Sequence, residues 1–126
     1  MPIHPLADRL EYHEESSNGQ AAKNVGGALL ELGDVMLIYS QPEFDTGLNF
    51  ACRIRSNATL LESLIDDVSA WFTQRNVAPH FRVSPLTKPS NVASILERRG
   101  FVCTEQETQM VLVKFCAGVE RLKFGT

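Results

Sequence analysis

The sequence has little of what marks the common classes of binding and catalytic protein. The net charge is −3 over 126 residues, and the basic residues form no stripe, so no nucleic-acid partner is predicted. No uncharged apolar run is long enough to cross a bilayer, so no membrane partner is predicted. The first residues lack the basic and apolar regions of a secretory leader, which favours a protein without one.

Cysteine and histidine are too scarce and too scattered to predict a metal site. The three cysteines, Cys52, Cys103 and Cys116, include no C-x-x-C pair, and we expect reduced thiols in a cytoplasmic protein. Cys52 falls among apolar positions and is predicted to lie in the core. The three histidines show neither ligand spacing nor the pattern of a catalytic partner. The sequence therefore identifies no metal ligands, and its catalytic residues stay unknown.

Length and composition favour one globular domain spanning residues 1–126. Hydrophobic residues make up 44% of the chain and charged residues 21%, which is ordinary for a soluble protein with a core. The short tail after residue 116 is expected to be partly ordered, or to be cut from something longer. The sequence contains no internal repeat and no low-complexity tract.

The N-terminal region predicts a helix and then a hairpin. Residues 5–17 are predicted to be helical, with Leu6 and Leu10 on one face, and the Ser-Ser-Asn-Gly cluster at 16–19 is expected to break this helix. The paired glycines at 26–27 let the chain reverse. Two strands, 28–32 and 35–39, then meet at a Gly-Asp turn. The second strand hardly alternates, so we expect it to be covered on both faces.

The stretch from 48 to 115 organises the rest of the chain. Residues 48–55 alternate apolar and polar positions, which predicts a strand with one buried face. Apolar residues then recur at helical spacing over 59–75, and Thr59 with Glu62 predicts a capping box at the start of that helix.

The same stretch continues with shorter elements. A strand is predicted over 80–84 and a helix over 89–99, which ends at Gly100 with Phe101 packing back on its last turn. A polar turn over 104–107 and a strand over 110–115 follow. Strand–helix–strand units imply right-handed crossovers between parallel strands. The fold class predicted is α/β: a mixed, twisted sheet of about six strands with helices on both faces.

Five segments carry a resemblance to a known family: Gly26–Leu30, Gly47–Phe50, Ala70–Asn76, Phe81–Leu86 and Leu96–Phe101. Together they resemble the GNAT superfamily of acyl-CoA-dependent N-acetyltransferases, most of all the N-terminal domains of tandem GNAT proteins. The Gly-Phe pair after an amphipathic helix, with two strands following, is similar to the C-terminal signature of the family. The resemblance spans roughly residues 20 to 115 and implies a GNAT-like fold with acetyl-CoA as the cofactor of any enzyme.

The resemblance also implies where coenzyme A would bind. In active members, a glycine-rich loop and a helix N-terminus hold the pyrophosphate through backbone N–H groups. The matching positions here are Arg55, Ser56, Asn57, Ala58 and Thr59, which include no glycine. Side chains at these positions obstruct the close approach of backbone to phosphate. We therefore expect a degenerate pyrophosphate loop and no bound cofactor.

The catalytic groups that the resemblance implies are missing as well. Active members often place a general-acid tyrosine four residues before the Gly-Phe pair, and Leu96 stands there. Many use a glutamate near the central strand as general base. The strand over 48–55 has no carboxylate, although Glu43 and Asp45 precede it.

Four other features have a structural and a functional interpretation. Glu11, Glu14 and Glu15 steer a cationic ligand or, by default, form a solvated helix face. Arg53 and Arg55 bind a phosphate or carboxylate, or they pair with acidic residues at the end of the sheet. Trp71 with Phe72 is more simply core than a ligand platform, and Ser84-Pro85 is more simply a loop than a nucleophile. The acidic partners considered for the two arginines are Glu43, Asp66 and Asp67.

Three functions are compatible with these features. The first is a non-catalytic, GNAT-like binding or dimerisation module, with a second copy or a second GNAT domain as partner. The second is an N-acetyltransferase that moves an acetyl group from acetyl-CoA to an amine of a small molecule or protein. The third is an α/β scaffold that acts only through protein contacts. An edge strand near the C-terminus is compatible with a homodimer, because unpaired strand edges invite pairing.

Overall fold

The computed structural model describes residues 5–41, 48–106 and 109–113. Within these ranges the elements are, in chain order, α1 (Pro5–Asn24), β1 (Ala28–Leu32), β2 (Val35–Tyr39), β3 (Phe50–Cys52), α2 (Ala58–Thr73), β4 (His80–Val83), α3 (Val92–Arg98), β5 (Val102–Gln106) and β6 (Gln109–Val113). The strands lie in one sheet in the order β1–β2–β3–β4–β6–β5. Only β3 and β4 are parallel neighbours among these strands; the other pairs are antiparallel. The predicted α/β class with a mixed sheet is confirmed.

The sheet separates two apolar cores. Val35 and Leu37 of β2 belong to the larger core, which α2 and α3 cover, whereas Met36 and Ile38 belong to a smaller core that includes Ala22 of α1. Because alternate side chains of a strand point to opposite faces, α1 lies on one face of the sheet and the two other helices on the other. The prediction that β2 is covered on both faces is confirmed, since these four side chains are at most 3% exposed.

The β1–β2 hairpin forms with the bounds predicted from the sequence. Leu32 pairs with Val35 across the Gly33-Asp34 turn, and the register continues to Ala28 with Tyr39. The reversal before it is also as predicted: Gly26 has a φ of +81°, and Gly27 N donates to Ala22 O at 2.8 Å. A Cβ on Gly27 would overlap the Tyr39 carbonyl oxygen, so only glycine fits where the helix end meets the strand.

The predicted break of α1 at residues 16–19 is wrong, because the helix continues to Asn24. One local hydrogen bond and one tertiary contact hold the weak helix formers in place. The Asn18 side chain donates to Glu15 Oε1 at 2.8 Å, and Gly19 is buried where a Cβ would lie 2.8 Å from the Leu29 side chain. A close contact with β1 therefore favours glycine inside this helix and outweighs its low helix propensity.

The predicted strand over 48–55 is shorter, and its one-sided burial is wrong. β3 contains only Phe50–Cys52, and all three residues are buried. Arg53 has a φ of +53°, in the left-handed region. Phe50 and Cys52 consequently belong to the smaller core while Ile54 belongs to the larger one. The left-handed residue thus shifts the alternation by one position.

The α2 helix begins one residue before its predicted start and ends two before its predicted end. Its N-cap is Asn57, whose side chain accepts from Leu60 N at 3.0 Å, so the capping box of Thr59 and Glu62 is wrong. Glu62 instead pairs with Arg99. Phe72 is fully buried and Trp71 packs against the core, which confirms the structural interpretation of these two aromatics.

The C-terminal part of the described chain follows the predicted order with shifted bounds. α3 begins at Val92, three residues after its predicted start. Gly100 has a φ of +94°, and Phe101 N donates to Leu96 O at 3.0 Å, as expected for a glycine-terminated helix. Residues 104–106 are strand, not the predicted turn, because they pair with β6. Residue 107 and the last two residues of the predicted strand lie outside the described ranges.

Candidate functional site

The five loop positions that resemble a pyrophosphate site are engaged in the fold. Arg55 N donates to Asp34 O at 2.8 Å, and Ser56 N donates to Lys88 O at 2.9 Å. Asn57 caps α2, while Ala58 and Thr59 form its first turn and are exposed. The amides of Ala58 and Thr59 donate to no acceptor in the part of the chain that the structure describes. Two of the five amides are therefore unavailable to a ligand.

Of the positions at which the resemblance implies catalytic groups, the structure describes one, Leu96. Leu96, at the position where active members of the resembling family place a tyrosine, is fully buried in the core. Glu43 and Asp45 lie outside the described residues. Across the described ranges, no group of three or more acidic, histidine or cysteine side chains is arranged to hold a metal ion. Over the same ranges, no helix has both the length and the apolar character needed to cross a membrane.

The main concentration of charge lies between α1 and the sheet. We call Arg53, Arg55 and Arg82 the arginine cluster, and Asp8, Glu11 and Glu15 the α1 carboxylates. The carboxylates follow at intervals of three and four residues, so they share one face of α1. That face contacts the arginines from the sheet, which makes the contact between helix and sheet strongly ionic.

Arg53 and Arg55 share the same two carboxylates. Asp8 Oδ1 lies 3.1 Å from Arg53 Nη2 and 3.2 Å from Arg55 Nη2. Glu11 Oε1 lies 3.2 Å from Arg53 Nη1 and 2.5 Å from Arg55 Nη2. The left-handed conformation at Arg53 turns both arginines toward α1. The sequence suggested pairing with Glu43, Asp66 or Asp67. The two arginines pair with the α1 carboxylates, Asp66 pairs with Arg99, and Glu43 lies outside the described residues.

Arg82 and Glu15 form the most buried pair of the group. Glu15 Oε1 and Oε2 accept from Arg82 Nη1 at 3.0 and 3.2 Å. The Glu15 side chain is 4% exposed and the Arg82 side chain 18%. The Arg82 guanidinium lies 3.8 Å from the centroid of the Phe50 ring. A charge buried this deeply needs its partner, because the solvent cannot replace it.

Ser84 connects the loop after β4 to the same group. Its Oγ donates to Glu11 Oε2 at 2.6 Å and accepts from Leu86 N at 3.1 Å. The Thr87 hydroxyl accepts from Ser84 N at 2.9 Å. These contacts are those of a loop-forming serine, which confirms the structural interpretation of the Ser-Pro pair.

A cavity of about 290 Å³ lies beside these ion pairs. β3 and β4 have one residue pair in register, Ala51 with Phe81, before the isolated bridge of Arg55 with Lys88. The cavity lies against both strands and is covered by α1. It is lined by Ala7, Leu10, Glu11, Glu14, Glu15, Cys52, Arg53, Arg82 and Ser84. The residues at 56–59 take no part in its lining.

Burial and charge shift the titration of two groups here. Burial raises the pKa of Asp8, but the hydrogen bond from Arg55 and the charge of Arg53 outweigh it, so the net pKa lies below the ordinary value of 3.8. Burial, and then the negative charge of Glu15, raise the pKa of the Cys52 thiol far above its usual value. Cys52 is 1% exposed, which confirms its predicted place in the core. Cys52 and Cys103 are free thiols, whereas Cys116 lies outside the described residues.

The solvated helix face predicted for the three glutamates is wrong for two of them. Glu15 is buried, Glu11 is mostly buried and only Glu14 is exposed. Asp8 and Arg82 were not singled out from the sequence. The spacing of residues 8, 11 and 15 was a usable signal for a common face. Nothing local indicated that this face meets arginines more than 40 positions away.

Comparisons with protein-family models, with curated proteins and with solved structures gave no match for this chain.

Proposed function

We propose that this chain is a GNAT-like α/β domain that acts as a non-catalytic binding or dimerisation module. The observation that carries the proposal is the engagement of the Arg55 and Ser56 amides by the carbonyl groups of Asp34 and Lys88. These amides belong to the positions at which active members of the resembling family would hold pyrophosphate. A ligand that needed them would first have to break two backbone hydrogen bonds.

Three features of the fold support the GNAT-like part of the proposal. β3 and β4 are parallel neighbours with one pair in register, and a cavity whose lining does not include residues 56–59 lies against them. The chain leaves β3 through the left-handed Arg53 and enters the N-terminus of α2. An antiparallel pair, β5 and β6, follows the Gly100-Phe101 helix end. The last of these is the feature that the resemblance predicts for the C-terminal part of the domain.

The proposal that the domain is not catalytic depends on what occupies the implied proton-donor position. Leu96 has no proton to donate, and it is fully buried in the core. A tyrosine at this position would have to place a hydroxyl in an apolar core. Acetyl transfer therefore lacks its usual general acid in this chain.

Titration with acetyl-CoA by calorimetry tests the proposal. We expect no saturable binding of acetyl-CoA to the purified full chain. Micromolar binding together with acetylation of an amine would overturn the proposal in favour of the runner-up, an N-acetyltransferase. The exposed amides of Ala58 and Thr59 are the feature that favours this runner-up.

Asn57→Asp provides the matched variant for this titration. Aspartate caps a helix about as well as asparagine, so α2 is preserved, but a negative charge is added where the pyrophosphate would lie. Binding of acetyl-CoA that weakens in Asn57→Asp would place the coenzyme at the N-terminus of α2. Binding that does not change would place it elsewhere.

The dimerisation part of the proposal is supported by the two outer strands. Within the described residues, β1 pairs only with β2 and β5 only with β6, and unpaired strand edges favour association. Light scattering over a range of concentrations would give the mass of the particle. Leu32→Lys and Val102→Lys change exposed positions on the two edges, and we expect one of them to abolish a dimer. A particle that stays monomeric at every concentration would restrict the role to binding.

A further inference from the structure

Within the described residues, all ion pairs of the arginine cluster come from one short segment of the chain. Its carboxylate partners at residues 8, 11 and 15 all belong to the first half of α1, residues 5–15. The cluster itself lies at the centre of the sheet, on the segment after β3 and on β4. The first half of α1 therefore acts as the anionic occupant of a cationic surface.

This half of α1 is attached by polar contacts. The buried residues of the helix are Glu15, Gly19 and Ala22, of which the apolar ones belong to the second half. Leu6 and Leu10 are 52% and 60% exposed, although an amphipathic helix normally buries such residues. Beyond the ion pairs, a hydrogen bond of 2.7 Å from the exposed Tyr12 hydroxyl to Glu31 Oε1 connects this half to β1.

The two halves of α1 meet at residues with low helix propensity. Ser16, Ser17, Asn18 and Gly19 are the residues at which the sequence predicts a break. Opening the helix at these positions costs less than at a run of alanine or leucine. A separation of the two halves would therefore cost least here, and the buried Gly19 and Ala22 belong to the half that would stay on the sheet.

The α1 carboxylates leave part of the arginine cluster without a partner. Arg55 Nε and Arg82 Nε are buried, and neither atom has a hydrogen-bond acceptor in the described part of the chain. A guanidinium binds a carboxylate or phosphate best through two parallel N–H groups. The cavity of about 290 Å³ has Arg53 and Arg82 on one side and residues of α1 on the other, so displacement of α1 would open it toward these guanidinium groups.

We propose that Arg53, Arg55 and Arg82 form a binding site for a small dianion with carboxylate or phosphate groups, and that such a ligand displaces residues 5–15 of α1. This inference rests on the binding role proposed above and names its ligand class. With α1 in place, Glu11, Glu14 and Glu15 line the cavity and repel anions. Once these glutamates leave with the helix, the three arginines present an uncompensated positive surface.

Calorimetric titrations with succinate and with inorganic phosphate test the proposal, at constant ionic strength maintained with sodium chloride. Asp8→Asn combined with Glu11→Gln removes the two carboxylates that pair with Arg53 and Arg55, and so weakens the attachment of α1 to the arginine cluster. We expect this double variant to bind at least one of the two anions with a Kd at least tenfold lower than that of the wild type. Adding Arg53→Gln and Arg55→Gln to the double variant should abolish the binding. Binding of succinate but not phosphate would identify a carboxylate ligand. Binding of phosphate but not succinate would identify a phosphorylated ligand.

Glu62→Gln combined with Asp66→Asn is the matched control. It removes the same two negative charges, but from the partners of Arg99 on α2, away from the cluster. We expect the control to bind the anions no more tightly than the wild type does. Equal binding by both double variants would reduce the effect to net charge and overturn the proposal. Absence of saturable binding to the Asp8→Asn, Glu11→Gln protein would overturn it as well.

Hydrogen exchange supplies a second readout on the wild-type chain, in case the double variant unfolds. Saturating anion should speed the exchange of amides in residues 9–15 and leave those of α2 unchanged. Exchange in residues 9–15 that stays the same or slows would contradict displacement. A different result would contradict the proposed function: acetyl-CoA binding that becomes weaker in Asn57→Asp. The two proposals can therefore fail independently.

Discussion

Glu15 of α1 and Arg82 of β4 form an ion pair across 67 positions of the chain, with Glu15 Oε1 3.0 Å from Arg82 Nη1. The carboxylate side chain is 4% exposed. This pair joins the first helix to the middle of the sheet at a place where apolar packing would normally make the contact. The ion pair thus fixes the position of a helix whose neighbouring leucines face the solvent.

Removing one member of this pair should destabilise the protein strongly. Glu15→Leu leaves the mostly buried Arg82 guanidinium without its partner, and we expect the free energy of unfolding to fall by about 3 kcal/mol. Urea unfolding followed by circular dichroism measures this change. Replacing both residues, as Glu15→Leu with Arg82→Leu, should recover most of the loss. Glu14→Gln, an exposed neighbour, is the control and should change stability by less than about 0.5 kcal/mol. A double variant no more stable than Glu15→Leu would contradict this account.

The Asp8 carboxylate should contribute stability that depends on pH. Its pKa is lowered in the folded protein, so its contribution is fully present above the unfolded pKa and is lost as pH falls through the folded one. We expect Asp8→Asn to have a lower urea midpoint than the wild type at pH 6. The difference should shrink below pH 3.8, the ordinary pKa of the group. A difference that does not shrink at all as the pH falls below 3.8 would mean that packing, not the charges of Arg53 and Arg55, causes it.

Gly100 should resist substitution because its backbone is left-handed. With a φ of +94°, Gly100→Ala places a Cβ in a conformation that costs about 1 kcal/mol or more. The same backbone turns Phe101 onto Phe81, with the ring centroids 5.3 Å apart. Gly33→Ala is the matched control, because a Cβ there meets no atom within 4 Å. Equal losses of stability in the two variants would contradict a conformational cause.

The Cys52 thiol should react only when the protein opens. It is 1% exposed, and burial with the nearby Glu15 charge raises its pKa, so the reactive thiolate is scarce. Two variants are compared, one that keeps only Cys52 and one that keeps only Cys103, with the other cysteines replaced by serine. We expect iodoacetamide at pH 8 to label Cys52 roughly a hundredfold more slowly than Cys103. In urea the two rates should become similar. Fast labelling of Cys52 in the native protein would contradict its burial.

Some features of the fold follow from residues close together in the chain. The Gly33-Asp34 turn, the apolar stripe of α2 and the glycine end of α3 depend on backbone preference and on local hydrophobic period. These signals predicted the hairpin with its bounds, the long helix to within two residues and the position of Gly100 and Phe101. They also predicted that Cys52 and Phe72 are buried.

The candidate site depended on information that no local pattern contains. The sequence determined that residues 8, 11 and 15 share one face of a helix, because that follows from the helical repeat alone. Only the tertiary structure decided that this charged face lies on the sheet and that Leu6 and Leu10 face outward. The physical reason is the left-handed Arg53, which turns two guanidinium groups to the α1 side, where Arg82 already lies. Buried arginines need carboxylates, and this requirement outweighed the preference of the leucines for the interior.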